Sequence, residues 1–485
     1  MKLVRHTLFN LVGLGLPLVV AVASIPELLN VLGVARFGLL TLIWAVVSYF
    51  GLFDLGLGRA LTYRMAQMLA ADPTANVAPT VGTALISMAV IGLSAAAAMA
   101  AVASPAVGWI RGIPDRDEAV RALLAMSMAV PAVVLASGLR GILEARHAFG
   151  WVNVIRIPLG LYTFLAPLAV AVWIGPRLDL IALTLLAGRW LALAAHYGAA
   201  RQVMPGRRIV LAWQGSEIRP LLTTGGWLTI GNLVGPLMGY ADRFIIAAAV
   251  SAAAVAYYAT PNELVTKLWI VPGALTSVLF PALSAVAARD DGQAQRIARQ
   301  GLGWLFVVLL PLTLALALFA HEVLALWLGA DFARESTLVL QLMACGIMVN
   351  CMAHVPLTQL QGAGRARGPA LLQLLQVAPY LALLWWASTE FGVNGTAGIW
   401  AARMFVDTAA MFYLAAKIGP ALRPMGAAAH GLWIASAIGL LAFASCLVAL
   451  PIELRALIWA AASTAAALTL HPWRPAINNI VKTAL

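Results

Sequence analysis

The chain has 485 residues, of which 62% are hydrophobic and only 10% are charged. A soluble protein of this length would fold into about three domains of ~150 residues each. The composition excludes that arrangement, and the longest polar stretch, at about 201–219, is too short for a soluble catalytic domain. A bilayer-spanning helix takes about 20 mostly apolar residues, and the chain has enough for about fourteen. The sequence therefore predicts an all-α, polytopic integral membrane protein.

The net charge of +12 comes from basic residues that lie between apolar segments. In a membrane protein such residues report topology, so no nucleic-acid partner is expected. Cys345, Cys351 and Cys446 lie inside apolar runs and lack metal-ligand spacing, and we expect neither a metal nor a cofactor. The apolar run from Leu8 to Leu32 is longer than a signal-peptide core, which predicts an uncleaved first helix.

Hydropathy along the chain predicts about fourteen transmembrane helices. In chain order they lie at 8–32, 38–58, 80–103, 119–140, 156–175, 179–200, 219–240, 252–286, 301–320, 336–358, 369–388, 395–416, 429–450 and 454–471. Of the 31 Lys and Arg residues, twenty fall on one set of loop faces and eight on the other. Cytoplasmic loops carry the excess of basic residues, so both termini are predicted to be cytoplasmic.

An internal repeat constrains the architecture further. The run Asn10–Gly13 recurs at Asn232–Gly235, and Trp109 to Gly112 matches Trp327 to Gly329, with offsets of 222 and 218. Six helices separate the copies, so they share one orientation, related by a pseudo-twofold axis along the membrane normal. We expect a six-helix lobe at 1–205, a cytoplasmic linker at 206–218, a second six-helix lobe at 219–420, and helices thirteen and fourteen with a cytoplasmic tail at 421–485.

Ionisable residues inside spans are expensive, and each is a functional candidate. Those in or beside predicted spans that we single out are Glu27, Asp54, Arg59, Asp242, Arg243, Glu263, Lys267, Arg403 and Asp407. Most belong to helices one, two, seven and eight, which correspond under the repeat, and this predicts a polar cavity between the lobes. Pairs four residues apart, such as Arg403 and Asp407, also have a purely structural interpretation, the stabilisation of their own helix. For Glu263 and Lys267 the flanking prolines favour an irregular, site-forming helix.

No enzyme motif is present in the sequence. Gly56-Leu57-Gly58 is too short for a nucleotide-binding fingerprint, and neither a phosphate-binding loop nor metal-spaced histidines occur. We therefore expect a protein without enzymatic activity whose energy source is an ion gradient, the membrane potential or the substrate gradient.

Several short motifs resemble a known family. They are the run Asn10 to Pro17, Ile25-Pro26, Arg36-Phe37-Gly38, Asp54 to Ala60, Leu143-Glu144-Ala145, Asp242-Arg243-Phe244, Phe280-Pro281, Leu326 to Gly329 and Gln361 to Arg365. Together they are similar to bacterial O-antigen and exopolysaccharide flippases of the multidrug/oligosaccharidyl-lipid/polysaccharide exporter superfamily. The resemblance extends through helix twelve.

This resemblance implies a carrier of undecaprenyl-pyrophosphate-linked oligosaccharide in the bacterial inner membrane, working by alternating access. The headgroup is anionic, so its assigned contacts are the cations Arg36, Arg59, Arg243 and Lys267, with Asn232 and Asn262 facing the sugars. The residues assigned to coupling or to charge pairs are Glu27, Asp54, Asp242, Glu263, Arg403 and Asp407. The implied partners are the lipid-linked glycan, membrane lipid, a coupling ion (H⁺ or Na⁺), a polysaccharide polymerase and glycosyltransferases.

Three alternatives remain at this point. A cation-coupled drug antiporter of the same superfamily would favour an acidic cavity, whereas here four acidic residues are matched by four basic ones. A lipid II flippase would share the expected architecture. A membrane-embedded glycan polymerase or ligase belongs to a different class and would be expected to carry a long external loop, but the longest one here, about 104–119, is short.

Overall fold

The computed structural model describes residues 2–50, 54, 56–286, 291–365, 367–418, 430–448 and 450–469. These residues are almost entirely helical, and no strand is assigned among them. Eight helical segments among these residues are long and apolar enough to cross a membrane. A multi-pass, all-helical membrane protein is thereby confirmed, while the count of fourteen spans stays a prediction. The chain divides into two compact units, Met1–Ala256 and Tyr257–Leu485. The lobe boundaries near 205 and 219 also stay a prediction.

Within its described residues, the first unit contains eight complete helices and the start of a ninth. They are α1 (Lys2–Phe50), α2 (Leu57–Ala71), α3 (Ala78–Trp109), α4 (Arg116–Ser127), α5 (Val130–Ala145), α6 (Phe149–Trp173), α7 (Leu178–Val203) and α8 (Gly215–Ala249), followed by α9 (Ala252–Thr266). A 3₁₀ turn at Pro205–Arg207 precedes α8.

The second unit continues from α9. Its helices are α10 (Ile270–Val286), α11 (Asp291–Leu318), α12 (Ala320–Leu328), α13 (Ala330–Gly362), α14 (Arg367–Ile418), α15 (His430–Ala444) and α16 (Ile452–Thr469). Among the described residues of this unit, 3₁₀ turns lie at Lys267–Trp269 and Ser445–Leu447.

Several helix boundaries differ from those predicted. Helices one and two form one element, α1, broken only at Gly33 (φ 72°, ψ 163°), and helices eleven and twelve form α14, broken at Gly392 (φ 60°, ψ −142°). Glycine adopts these angles without a steric penalty, so the chain changes direction without a loop. The predicted fourth helix is divided in two, and α5 starts just before Pro131, which lacks the N–H that a continuous helix needs.

The backbone contains a repeat with an offset of 217 residues. Positive φ angles occur at Gly112 and Gly329 (68° and 94°), at His147 and Gly364 (56° and 71°), and at Gly175 and Gly392 (123° and 60°). All three pairs differ by 217 positions, one less than the offset of 218 read from the motifs. The sequence repeat is therefore also a repeat of backbone conformation.

The ends of α5 and α13 show this repeat in detail. At the end of α5, the backbone N–H groups of residues 146, 147 and 148 donate to the carbonyl oxygens of residues 142, 144 and 143, respectively. At the end of α13, the N–H groups of residues 363, 364 and 365 donate in the same pattern to the carbonyl oxygens of residues 359, 361 and 360. Each set satisfies the last carbonyls of its helix in a Schellman-type cap, with the left-handed residue at the same place. The same local solution ends both helices, 217 residues apart.

Glycines allow helices to approach closely within each unit. A Cβ atom on Gly38 of α1 would lie 1.8 Å from the backbone oxygen of Ala252, and one on Gly346 of α13 would lie 3.0 Å from the Trp400 ring. Glycines permit this approach in membrane proteins, where packing replaces the hydrophobic effect as the force between helices.

Candidate functional site

The apolar segment 252–286 is broken where its only two charged residues lie. α9 ends at Thr266, the chain passes through the 3₁₀ turn Lys267–Trp269, and α10 begins at Ile270. We call this turn the Lys267 turn. The irregular helix expected from the flanking prolines is present, because Pro261 and Pro272 each remove one helical hydrogen bond.

Glu263 and Lys267 form an ion pair at this break. The Lys267 Nζ atom donates to Glu263 Oε2 over 2.8 Å, and the side chains are 46% and 38% exposed. Asn262 beside them is only 4% exposed, and its backbone carbonyl accepts a hydrogen bond from the Thr266 hydroxyl. The structure therefore brings the predicted charge pair together and leaves it accessible, while it buries the predicted sugar-contacting amide.

A polar chain runs from the Lys267 turn into the helices of the second unit. Trp269 Nε1 donates to Asn350 Oδ1 over 3.0 Å, and Asn350 Nδ2 donates to Asp407 Oδ2 over 3.3 Å. The ring nitrogen Nδ1 of His354 donates to the Asn350 carbonyl over 3.3 Å. Sequence reasoning identified Asp407 but missed Trp269 and Asn350, and the available signal was an amide in the apolar middle of α13.

Arg403 lies one turn before Asp407 on α14. Its guanidinium carbon stands 4.7 Å from the centre of the Tyr380 ring, in a cation–π arrangement with the first segment of the same element. Asp407 accepts its hydrogen bond from Asn350 on α13. Arg403 and Asp407, predicted as a pair on one helix, therefore contact two different helical segments: Arg403 contacts the first segment of α14, and Asp407 contacts α13.

In the first unit, Asp242 and Arg243 lie inside α8. The sequence placed them at its end, but the helix continues to Ala249. Asp242 is fully buried and its Oδ1 accepts from the Arg243 backbone N–H over 2.8 Å, while the Arg243 side chain is 2% exposed and lies 5.0 Å from the Tyr240 ring centre. Tyr49 of α1 packs edge-on against Tyr240 at 5.7 Å. This group is a buried junction of α1 and α8.

Asp54 precedes α2 and connects it to α5. The sequence placed Asp54 and Arg59 at the end of the second predicted helix, but α1 ends at Phe50. Asp54 Oδ1 accepts from the Gly56 backbone N–H at 2.8 Å, and Oδ2 accepts from the Ser137 hydroxyl at 2.5 Å. Arg59 is exposed in the first turn of α2.

The glycines of this motif are required by the same arrangement. Gly56 has φ 71°, and a Cβ on Gly58 would lie 2.3 Å from the Ser137 hydroxyl oxygen. The motif Asp54 to Arg59, which helped to suggest the family, therefore has a structural explanation in the junction of α2 with α5.

Arg36 lies at a different junction. Its Nε donates to Glu118 Oε2 at 3.0 Å, and Glu118 Oε1 accepts from the Leu178 backbone N–H at 2.5 Å, so one carboxylate connects α1, α4 and the start of α7. Nearby, Asp179 is paired with both Arg121 and Arg177. Among the remaining predicted residues, Glu27 is exposed on α1, and the side chain of Asn232 lies outside the described part of the chain.

The predicted residues therefore occupy several places. In the first unit they form the Arg36, Asp54 and Asp242–Arg243 groups, and in the second unit the Lys267 turn and the Asp407 chain. Helical membrane segments with buried charges and a broken, charged helix define a class, the polytopic membrane proteins with intramembrane polar sites.

Comparison with known proteins identifies the family within that class. The family model described as "Polysaccharide biosynthesis protein" matches residues 30–337, which is more than half of the sequence. The chain belongs to this polysaccharide biosynthesis family, so the family resemblance read from the motifs is confirmed.

Individual relatives are more distant. The chain is 26% identical over 416 residues to a Shigella flexneri protein named "Putative O-antigen transporter", covering 85% of this chain and 98% of the relative. It shares its fold with the lipid II flippase MurJ in an inward closed conformation (TM-score 0.74, 10% identity, 96% of this chain and 99% of the other). It also shares its fold with an inward-facing multidrug resistance MATE family transporter of the MOP superfamily (TM-score 0.68, 16% identity, 87% and 96%).

Proposed function

We propose that this protein is a flippase that moves polyprenyl-pyrophosphate-linked oligosaccharide across the bacterial inner membrane by alternating access, with both termini in the cytoplasm. Undecaprenyl pyrophosphate is the lipid carrier that the family resemblance implies. The transporter name of the Shigella flexneri relative and the fold shared with a lipid II flippase support this proposal. The glycan would come from glycosyltransferases and pass to a polymerase.

One observation carries the proposal, the accessible ion pair at the Lys267 turn. An exposed Glu263 and Lys267 in an apolar segment are unfavourable against lipid, so we infer that they face water. Irregular backbone at membrane depth is tolerated where it lines a hydrated cavity. A hydrated cavity with a cation suits a substrate whose headgroup combines pyrophosphate with sugars.

The accessible cations are the best candidates for the pyrophosphate. Lys267 and Arg59 are both exposed. Lys267 is paired with Glu263, but its side chain is 46% exposed. The side chain of Arg36, paired with Glu118, is 29% exposed, and Arg243 is buried against Tyr240, so these two would have to leave their contacts to reach the headgroup during transport. We retain all four as proposed contacts and rank Lys267 first.

The test is a flipping assay in proteoliposomes. Three lipids, each with a fluorescent group on its headgroup, are compared: polyprenyl-pyrophosphate oligosaccharide, lipid II, and a polyprenyl phosphate without sugar. Impermeant dithionite quenches only the fluorophores on the outer leaflet, so it reports the headgroups that have crossed. We expect the oligosaccharide lipid to cross fastest. If only lipid II crosses the membrane, the protein is a lipid II flippase and the proposal is wrong. If none of the three lipids crosses faster with the protein than without it, the proposal is refuted.

Charge-exchanged variants test the role of the ion pair. Glu263→Ala and Lys267→Ala each leave one charge without its partner, whereas Glu263→Lys combined with Lys267→Glu preserves the pair. If mutual neutralisation is the role of the pair, the double variant flips faster than either single one. If the substrate headgroup binds directly to Lys267, the double variant flips lipid as slowly as Lys267→Ala. Asp331→Ala, at a carboxylate that is 92% exposed, is the control.

A further inference from the structure

Asp407 lies near the middle of the second segment of α14, between Gly392 and Ile418. It is the fifteenth residue after Gly392, where α14 bends, and eleven residues before the end of α14 at Ile418. On one side, α13 and α14 touch at Gly346 and Trp400, and on the other they pack through Ala353 and Met411. The carboxylate therefore sits between two apolar layers, where its charged form is costly.

The orientation of the Asn350 amide follows from its partners. An indole N–H only donates hydrogen bonds, so the amide oxygen of Asn350 must face Trp269. The amide nitrogen then faces Asp407, and the Asp407 oxygen must accept. A donor aimed at a carboxylate favours the ionised form.

If the Asn350 amide turned its oxygen towards Asp407, it would favour the protonated form of Asp407. If Trp269 left Asn350, the amide could rotate by about half a turn and present its oxygen to Asp407. An acceptor facing a carboxyl group favours the protonated form, because the acid then donates its O–H. Trp269 belongs to the Lys267 turn, so a movement of that turn reaches Asp407 through two hydrogen bonds.

We propose that Asp407 is a proton-binding site coupled to the Lys267 turn by rotation of the Asn350 amide. With Trp269 hydrogen-bonded to Asn350, Asp407 is ionised. Headgroup binding at the Lys267 turn withdraws Trp269, and the Asp407 carboxylate takes up one proton from water, forming an O–H bond that donates to the amide oxygen. Return of the turn reverses the rotation and releases that proton to water.

This inference rests on the proposed function, because it uses the Lys267 turn as the headgroup site. Substrate and proton then favour the same state, and by linkage each strengthens the binding of the other. Two other charged or titratable groups interact with Asp407, namely Arg403 on its own helix and His354 on α13. His354 must be separated from Asp407 in any test of pH dependence.

Infrared spectroscopy of the substrate-free protein tests the site without requiring transport. We expect the protonated-carboxyl band that grows on acidification to contain a component in the wild type that is absent in Asp407→Asn, while the component from the other carboxyl groups is common to both. Trp269→Phe keeps the ring but removes the N–H, and we expect its band to persist to a pH about one unit higher, equivalent to about 1.4 kcal/mol. Trp385→Phe, at a tryptophan of α14 that is 52% exposed, is the matched control and should behave as the wild type.

Flipping under an imposed pH gradient provides the second measurement. We expect the wild-type rate to change by up to about tenfold per pH unit, the limit for one titrating proton. The flipping rates of Asp407→Asn and Trp269→Phe should change less than twofold per pH unit. A pH response that survives in Asp407→Asn and disappears in His354→Gln would assign the proton to His354 and overturn the inference, as would a response to sodium alone.

The two proposals fail separately. If the carboxyl band follows the expected pattern but no glycan lipid moves, the proposed function is wrong and the proton site stands. If the glycan lipid moves and the band in Asp407→Asn equals that of the wild type, the proton site is wrong and the proposed function stands.

Discussion

Removal of the Asp54 carboxylate should destabilise the junction of α2 with α5. This carboxylate is 9% exposed and accepts two hydrogen bonds, from the Gly56 backbone N–H and the Ser137 hydroxyl. A hydrogen bond to a charged group contributes about 1.5–3 kcal/mol, and Asp54→Ala removes the acceptor of two such bonds, which share one carboxylate and are therefore not fully additive. Together these predict a loss of about 3 kcal/mol for Asp54→Ala, which is about 6 °C in Tm at about 2 °C per kcal/mol.

A double-mutant cycle separates the two bonds. Ser137→Ala removes one donor and should lower the Tm by about 4 °C, because the carboxylate loses a strong partner. If Asp54 and Ser137 are hydrogen-bonded, the double variant loses less stability than the sum of the losses of the two single variants, and the difference should be about 1.5 kcal/mol. The assay is the temperature at which the size-exclusion peak of the purified protein collapses.

The matched control is Asp72, which also accepts two hydrogen bonds. Its Oδ1 accepts hydrogen bonds from the hydroxyl and the backbone N–H of Thr74, at 2.7 and 2.8 Å, and these bonds hold the pKa of Asp72 below its ordinary value. The group is exposed, so Asp72→Ala should change the Tm little, because water replaces the lost partner. Equal losses for Asp54→Ala and Asp72→Ala, or additive losses in the cycle, would refute the reasoning.

Two further variants address packing and pH. Gly38→Ala places a methyl group 1.8 Å from the Ala252 backbone oxygen and should cost about 3 kcal/mol or more, whereas Gly239→Ala, with no atom within 4 Å, should be neutral or stabilising; equal Tm values would contradict this. Burial acts to raise the pKa of Glu322, but hydrogen bonds from Arg455 outweigh it and hold the pKa below its usual 4.5. Stability from this pair is present above pH 4.5 and is lost as the pH falls through the folded-state pKa, so Arg455→Gln should flatten the acid limb of a Tm–pH curve.

The sequence by itself determined the class of protein and its repeats. Composition is enough to identify a membrane protein, because lipid imposes long apolar segments on any helix that crosses it. The pair Glu263–Lys267 was predictable because residues four apart on a helix are neighbours without help from any other segment. The repeat was visible because equivalent turns need equivalent residues; the backbone gives an offset of 217 where the Trp109 and Trp327 motifs gave 218, while the offset of 222 stays a prediction.

The partners of the other charged residues were decided by the tertiary structure alone. Arg36 meets Glu118 across 82 positions, Asp54 meets Ser137 across 83, and Asn350 meets Asp407 across 57. Hydropathy shows that a helix crosses the membrane but not how it is rotated about its axis or shifted along its neighbour. Those two quantities are set by the packing of side chains such as Gly38 and Gly346 against another helix. They decide which buried charge meets which polar group.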